Sequence, residues 1–140
     1  MGNRFSGIDC LARVRLPLFL CPVSAGQHSP TDDFIQDYIT VPDALVPHPE
    51  TTFALQVAGD SMNGAGIVDR DIVFVNQAAE AVHGKIVVVA IDGEQTIKRL
   101  YRRDGMLKLL PENPDYQPIA IHPEMEFAIQ GVVTGLFRPY

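Results

Sequence analysis

The chain lacks most of what would send it to a membrane, a metal or a nucleic acid. Its 140 residues include only two cysteines, Cys10 and Cys21, and no Cys-x-x-Cys unit. The four histidines (His28, His48, His83 and His122) are scattered. Metal ions need ligands grouped at short spacings, so no metal site is expected, and no residue pattern asks for another cofactor. Such sparse cysteine usage suits a reducing compartment, and a cytoplasmic location is expected. No segment approaches the roughly 20 consecutive apolar residues of a membrane-crossing helix. Excess positive charge is also missing. A net charge of −6 and a pI near 5.0 argue against a nucleic-acid-binding surface as the main function. The one basic cluster (Lys98, Arg99, Arg102, Arg103, Lys108) fits a solvated hairpin end.

Two targeting patterns in the N-terminal arm carry little weight. Met1-Gly2-Asn3-Arg4-Phe5-Ser6 matches a myristoylation pattern formally, but so short a pattern recurs by chance. Residues 13–25 run from basic to apolar to small, like a signal peptide. Their apolar stretch is short, and Pro17 and Pro22 would break its helix.

What is present is a core. Apolar residues make up 46% of the chain, enough for one folded globular domain. Composition changes near residue 50. The first 50 residues hold six of the eleven prolines, which remove backbone donors and keep preceding residues out of helical geometry. This half is expected to be largely extended, with short helical turns at 31–38 and 43–46. From Thr52 onward, apolar and β-branched runs predict strands at 53–58, 72–76, 85–91, 95–101, 106–110 and 127–137. Asp92-Gly93 and Asp104-Gly105 lie between such runs and suit two-residue hairpin turns, whose central positions need positive φ. Six strands without long helices predict a mainly β, barrel-like domain, not a βαβ fold. No internal repeat or low-complexity tract interrupts it.

The chemistry-bearing feature is Gly59-Asp60-Ser61-Met62 at a strand end, followed 37 residues later by Lys98 within the 95–101 strand. A serine beside a glycine at a strand end can present its hydroxyl clear of the backbone. Lys98 shares a strand face with Thr96 and Leu100, because side chains alternate with period two. Its neighbour strand is apolar at every position from Ile86 to Ile91, the mark of burial on both faces. Burial disfavours a charged ammonium, and a neutral amine can accept a hydroxyl proton. Ser61 and Lys98 are therefore candidates for a nucleophile and general base. Taken singly, Ser61 is an ordinary turn residue, Lys98 a hairpin lysine and Asp60 a turn or capping carboxylate. Only their conjunction makes the proposal specific.

In that context the chain resembles the LexA/UmuD self-cleaving serine peptidases, which are related in fold to bacterial signal peptidases. The match runs through Gly59-Asp60-Ser61-Met62, Ile67-Val68-Asp69-Arg70-Asp71-Ile72-Val73-Phe74-Val75, His83-Gly84-Lys85-Ile86-Val87-Val88-Val89 and Asp92-Gly93-Glu94-Gln95-Thr96-Ile97-Lys98-Arg99-Leu100. It continues through Leu110-Pro111-Glu112-Asn113-Pro114 to Gly131-Val132-Val133. The resemblance implies a twisted, barrel-like β domain over 51–140, an extended segment over 26–50 and an N-terminal arm over 1–25. It also implies Ser61 as nucleophile and Lys98 as general base, with the Ser61 backbone amide as the first oxyanion donor.

Members of this family cut themselves at an Ala-Gly or Cys-Gly bond upstream of the serine, and this chain offers Ala25-Gly26. Small residues there would let a strand-like arm approach the nucleophile closely. The 25 residues before that bond hold no helix pair of the helix-turn-helix kind, so a sequence-specific DNA-binding repressor is not expected. The short arm is similar to that of UmuD-type members. That likeness implies a homodimer, cleavage stimulated by a RecA nucleoprotein filament, and a trimmed form serving an UmuC-like error-prone DNA polymerase in the SOS response. Gly26 to Ser61 spans roughly 115–125 Å when extended, so reach alone allows cutting in cis or in trans. Two other readings are a signal-peptidase-type protease acting on other proteins and a non-enzymatic β interaction module.

Overall fold

Two tight turns organise the C-terminal half. Asp92 and Gly93 have φ of 50° and 86°, and Asp104 and Gly105 have φ of 56° and 72°. Positive φ at both central residues matches the right-handed twist of the flanking strands, as the sequence predicts. The first turn joins Ile86–Ile91 to Glu94–Arg103, and the second joins Glu94–Arg103 to Met106–Leu110. The computed structural model describes residues 12–20 and 37–140.

Among these residues there are nine strands: β1 (Arg13–Leu20), β2 (Asp37–Pro42), β3 (Thr52–Gln56), β4 (Ile72–Asn76), β5 (Ile86–Ile91), β6 (Glu94–Arg103), β7 (Met106–Leu110), β8 (Ile119–Ala120) and β9 (Phe127–Phe137). They form one sheet in the order β2-β1-β3-β4-β9-β5-β6-β7-β8. Every pairing is antiparallel except that of β1 with β3. The mainly β fold class is therefore as expected, and all six predicted strands are present with ends moved by up to two residues.

Three features differ from the sequence expectation. Residues 31–36 lie outside the described region, while Asp37 and Tyr38 open a strand and do not close a helical turn. The turn expected at 43–46 is a 3-10 turn over Asp43–Leu45, and similar turns occupy Pro49–Thr51 and Asn63–Ala65. The predicted strand at 53–58 ends at Gln56, because Val57 leaves the ladder to bond across a loop. Its N–H donates to Asp71 O, and its carbonyl accepts from Arg70 N–H. The two-residue β8 carries too little pattern to be visible in sequence.

Alternation along the strands divides the core. Phe53 and Leu55 of β3, Val73 and Val75 of β4, Val88 of β5 and Ile97 of β6 share one cluster. Val57, Met62 and Ile67, from the segment that follows β3, pack onto the same cluster. A second cluster joins Val87, Val89, Leu100, Leu109 and Val132. A third joins Leu16, Val41, Val46 and Phe74. Fully burying one such aliphatic side chain is worth about 1.5–3 kcal/mol, so Met62 and Ile67 hold their turn firmly against the sheet. That turn carries Ser61.

Candidate functional site

Ser61 follows β3 by five residues, on a turn whose shape depends on Gly59. Gly59 has φ of 96°, a left-handed conformation that side chains other than hydrogen disfavour. Its N–H donates to Asp69 Oδ1 at 2.8 Å. With Met62 buried below, the half-buried Ser61 is held at the surface of the cluster.

A second segment, 112–116, clamps this turn. Glu112 N–H donates to Ser61 O at 2.8 Å, and Gly64 N–H donates to Glu112 O at 2.7 Å. Asn113 Nδ2 donates to Asp60 O at 2.8 Å, and the Tyr116 hydroxyl donates to Asp60 Oδ1 at 2.5 Å. The Asp60 carboxylate, acting mainly through this hydrogen bond, raises the Tyr116 pKa above the usual tyrosine value. Asp60 is thus a turn-fixing carboxylate.

Lys98 arrives from β6, directly opposite Val87 of β5, and is only 6% exposed. Its amine lies 3.1 Å from Ser61 Oγ, 2.6 Å from Thr96 Oγ1 and 3.2 Å from Ile97 O. Thr96 and Lys98 share a face as the period-two argument requires. The structure thus brings together the two residues singled out in the sequence, although 37 positions separate them. Ala25 and Gly26 lie outside the described residues.

Glu112, Asn113, Tyr116 and Arg99 were not assigned site roles from sequence. Arg99, next to Lys98, donates through Nε to Glu112 Oε2 at 2.8 Å and through a terminal nitrogen to Gly84 O at 2.7 Å. The advance signals were the Leu110-Pro111-Glu112-Asn113-Pro114 stretch for Glu112 and Asn113 and the Asp92–Leu100 stretch for Arg99, which carried a resemblance but no role. A further constraint lies behind the turn. The fully buried Asp71 takes two hydrogen bonds from Arg138, at 2.6 and 2.9 Å, and one from Val68 N–H at 2.9 Å. The Arg138 hydrogen bond holds the Asp71 carboxyl below its ordinary pKa. Arg138 also donates to Gly66 O at 3.0 Å, so it ties β9 to the serine turn.

A serine on a glycine-shaped turn, with a buried lysine amine in hydrogen-bond reach on a mainly β scaffold, is what a Ser/Lys hydrolase requires. The chain belongs to the Peptidase S24-like family, whose model matches residues 17–134. It is 48% identical over 106 residues to a LexA repressor of Syntrophotalea carbinolica, covering 76% of this chain and 52% of that protein. It is 40% identical over 131 residues to a LexA repressor of Bordetella petrii, covering 93% and 57%. A LexA repressor of Bacillus subtilis is 42% identical over 117 residues, covering 83% and 56%. The chain thus spans about half the length of these relatives. They carry the repressor name, so the narrower UmuD-type expectation finds no support in them.

Proposed function

We propose that this chain is a self-cleaving serine peptidase that uses Ser61 and Lys98 to cut its own Ala25–Gly26 bond. The observation that carries the proposal is the 3.1 Å separation of Lys98 Nζ and Ser61 Oγ, with Lys98 withdrawn from water. Desolvation favours the neutral amine. That amine can donate to Thr96 Oγ1 and Ile97 O while its lone pair faces the Ser61 hydroxyl.

In the first step Ser61 Oγ bonds to the Ala25 carbonyl carbon as its proton passes to Lys98 Nζ. The Ser61 backbone N–H faces the developing oxyanion. Collapse breaks the Ala25–Gly26 bond, and Lys98 returns the proton to the Gly26 nitrogen. Water then hydrolyses the Ser61 ester, with Lys98 again the base, leaving an Ala25 carboxylate and a Gly26 amine.

Strand register supports cutting in cis. β1 runs parallel to β3, with Leu20 beside Gln56. Ala25 lies five residues beyond Leu20, and Ser61 lies five beyond Gln56, so both leave the same end of adjacent strands. Five residues reach about 16–18 Å at most, ample for paths that start roughly 5 Å apart. The long extended path considered from sequence is unnecessary.

Under this proposal a RecA nucleoprotein filament stimulates the cut, and the trimmed homodimer serves an UmuC-like error-prone DNA polymerase in the cytoplasm. The relatives' name favours a second reading, in which the same cut inactivates a DNA-binding repressor. Intact mass after alkaline incubation tests the chemistry. One cut at Ala25–Gly26, abolished by Ser61→Ala and by a bulky residue at Gly26, is expected. A cut elsewhere overturns the assignment. Co-purification with a polymerase, set against retention of operator-type duplex DNA, separates the two outputs.

A further inference from the structure

β1 is an interior strand of the sheet. Six of its residues pair with β2, from Arg13 with Pro42 to Leu18 with Asp37. Three pair with β3, from Leu18 with Ala54 to Leu20 with Gln56. Pro17 cannot donate a ladder hydrogen bond, and it precedes the point where the β3 ladder begins.

Both faces of β1 are anchored. Leu16 is fully buried among Val41, Val46 and Phe74. Phe19 is buried on the other side and meets the Phe53 ring edge-on, with centroids 5.5 Å apart. Arg15 lies 3.7 Å from the centre of the Tyr38 ring, a cation–π contact that adds to the β2 pairing. Among the described residues, β2 has β1 as its sole sheet neighbour.

A cut at Ala25–Gly26 would therefore fall in the connection between β1 and β2. It would leave β1 on one product and both of its ladders on the other. We propose that the slot between β2 and β3 is a strand-binding site that retains residues 13–20 after the backbone is cut. Self-cleavage then yields a nicked complex, and departure of the arm is a separate step. That departure strips β2 of its neighbour and opens β3 as an edge, which is what could change partners. The slot selects an extended segment with an aliphatic residue at the Leu16 position, an aromatic three residues later on the opposite face, and a cation over Tyr38. This inference rests on the proposed cut site, but the slot itself can be tested without self-cleavage.

The test uses the full chain carrying Ser61→Ala, with the recognition sequence of a site-specific protease inserted between Ala25 and Gly26. After cutting by the added protease, native mass spectrometry and gel filtration should find both pieces in one complex, and denaturant should separate them. Excess labelled peptide of residues 12–25 should exchange into the complex. Phe19→Ala in the arm should shorten its residence on the order of a hundredfold. Should that variant fail to fold uncut, the same substitution placed only in the competing peptide gives the readout. Immediate separation of the arm from a body that stays folded, or an unaffected Phe19→Ala peptide, overturns the proposal. Because the added protease makes the cut, these outcomes are independent of whether Ser61 cleaves Ala25–Gly26.

Discussion

Arg99 Nε lies 2.8 Å from Glu112 Oε2, and this pair joins the strand that carries Lys98 to the segment that holds the Ser61 carbonyl. Both side chains are about one-third exposed, at 34% and 30%, so the pair contributes little to stability. A value of about 0.5–1 kcal/mol is expected. Its larger effect should be on geometry. Glu112→Gln should slow self-cleavage severalfold while leaving the thermal midpoint almost unchanged, checked by timed mass analysis beside a melting curve.

Ser61 and Lys98 should behave as one unit. Ser61→Ala and Lys98→Ala should each remove most cleavage, and the double variant should lose little more, since groups that act together are non-additive. Lys98→Arg should also be inactive, because a guanidinium stays protonated. Unstimulated cleavage should rise with pH as the amine loses its proton. Activity in Lys98→Arg, or a rate indifferent to pH, contradicts the assignment.

Gly64 approaches Glu112 more closely than any side chain allows. A Cβ there would fall 2.6 Å from the Glu112 carbonyl oxygen, a backbone atom that cannot swing away. Gly64→Ala should cost about 1–3 kcal/mol, as overpacking does, and should loosen the 112–116 clamp. Chemical denaturation gives the first quantity, and the self-cleavage rate reports the second.

Acid should weaken the molecule through Asp71. Its carboxyl titrates below the ordinary value of 3.8 in the folded state, chiefly because of the Arg138 hydrogen bond. The resulting stability is therefore fully present above that ordinary value and is lost as pH falls through the depressed folded value. Arg138 is 39% exposed at its side chain, so solvent softens the pair, and Arg138→Ala should lower stability at neutral pH. The gap between the two proteins in urea should narrow as pH falls below 3.8.

The Tyr116 to Asp60 hydrogen bond should persist to higher pH than an ordinary tyrosine allows. Its hydroxyl pKa is raised above 10.0, so the interaction is intact below that value and is lost as pH climbs through the raised one. Tyr116→Phe should lower the cleavage rate at pH 9 without shifting the thermal midpoint. An unchanged rate would remove Tyr116 from the positioning set.

Local signals made much of the sheet legible. Asp92-Gly93 and Asp104-Gly105 are turn signals contained in two residues each, and the apolar run from Ile86 to Ile91 declares a doubly buried strand by itself. The same alternation put Thr96 and Lys98 on one face, and the Ser61 to Lys98 pairing followed from chemistry that few residue combinations permit. The clamp was not legible in that way. Glu112 meets Ser61 from 51 residues away, Tyr116 meets Asp60 from 56, and Arg138 meets Asp71 from 67. Single polar contacts at such separations leave no period in a sequence.

The arm marks the boundary most clearly. By itself the sequence determined that residues 13–20 carry no continuous helix, because Pro17 breaks one. Only the tertiary structure decided that this segment lies inside the sheet, parallel to β3 and antiparallel to β2. The reason is that Leu16 and Phe19 find their buried partners in Phe74 and Phe53, side chains on opposite faces of the sheet that flank this segment only once β3 and β4 have paired.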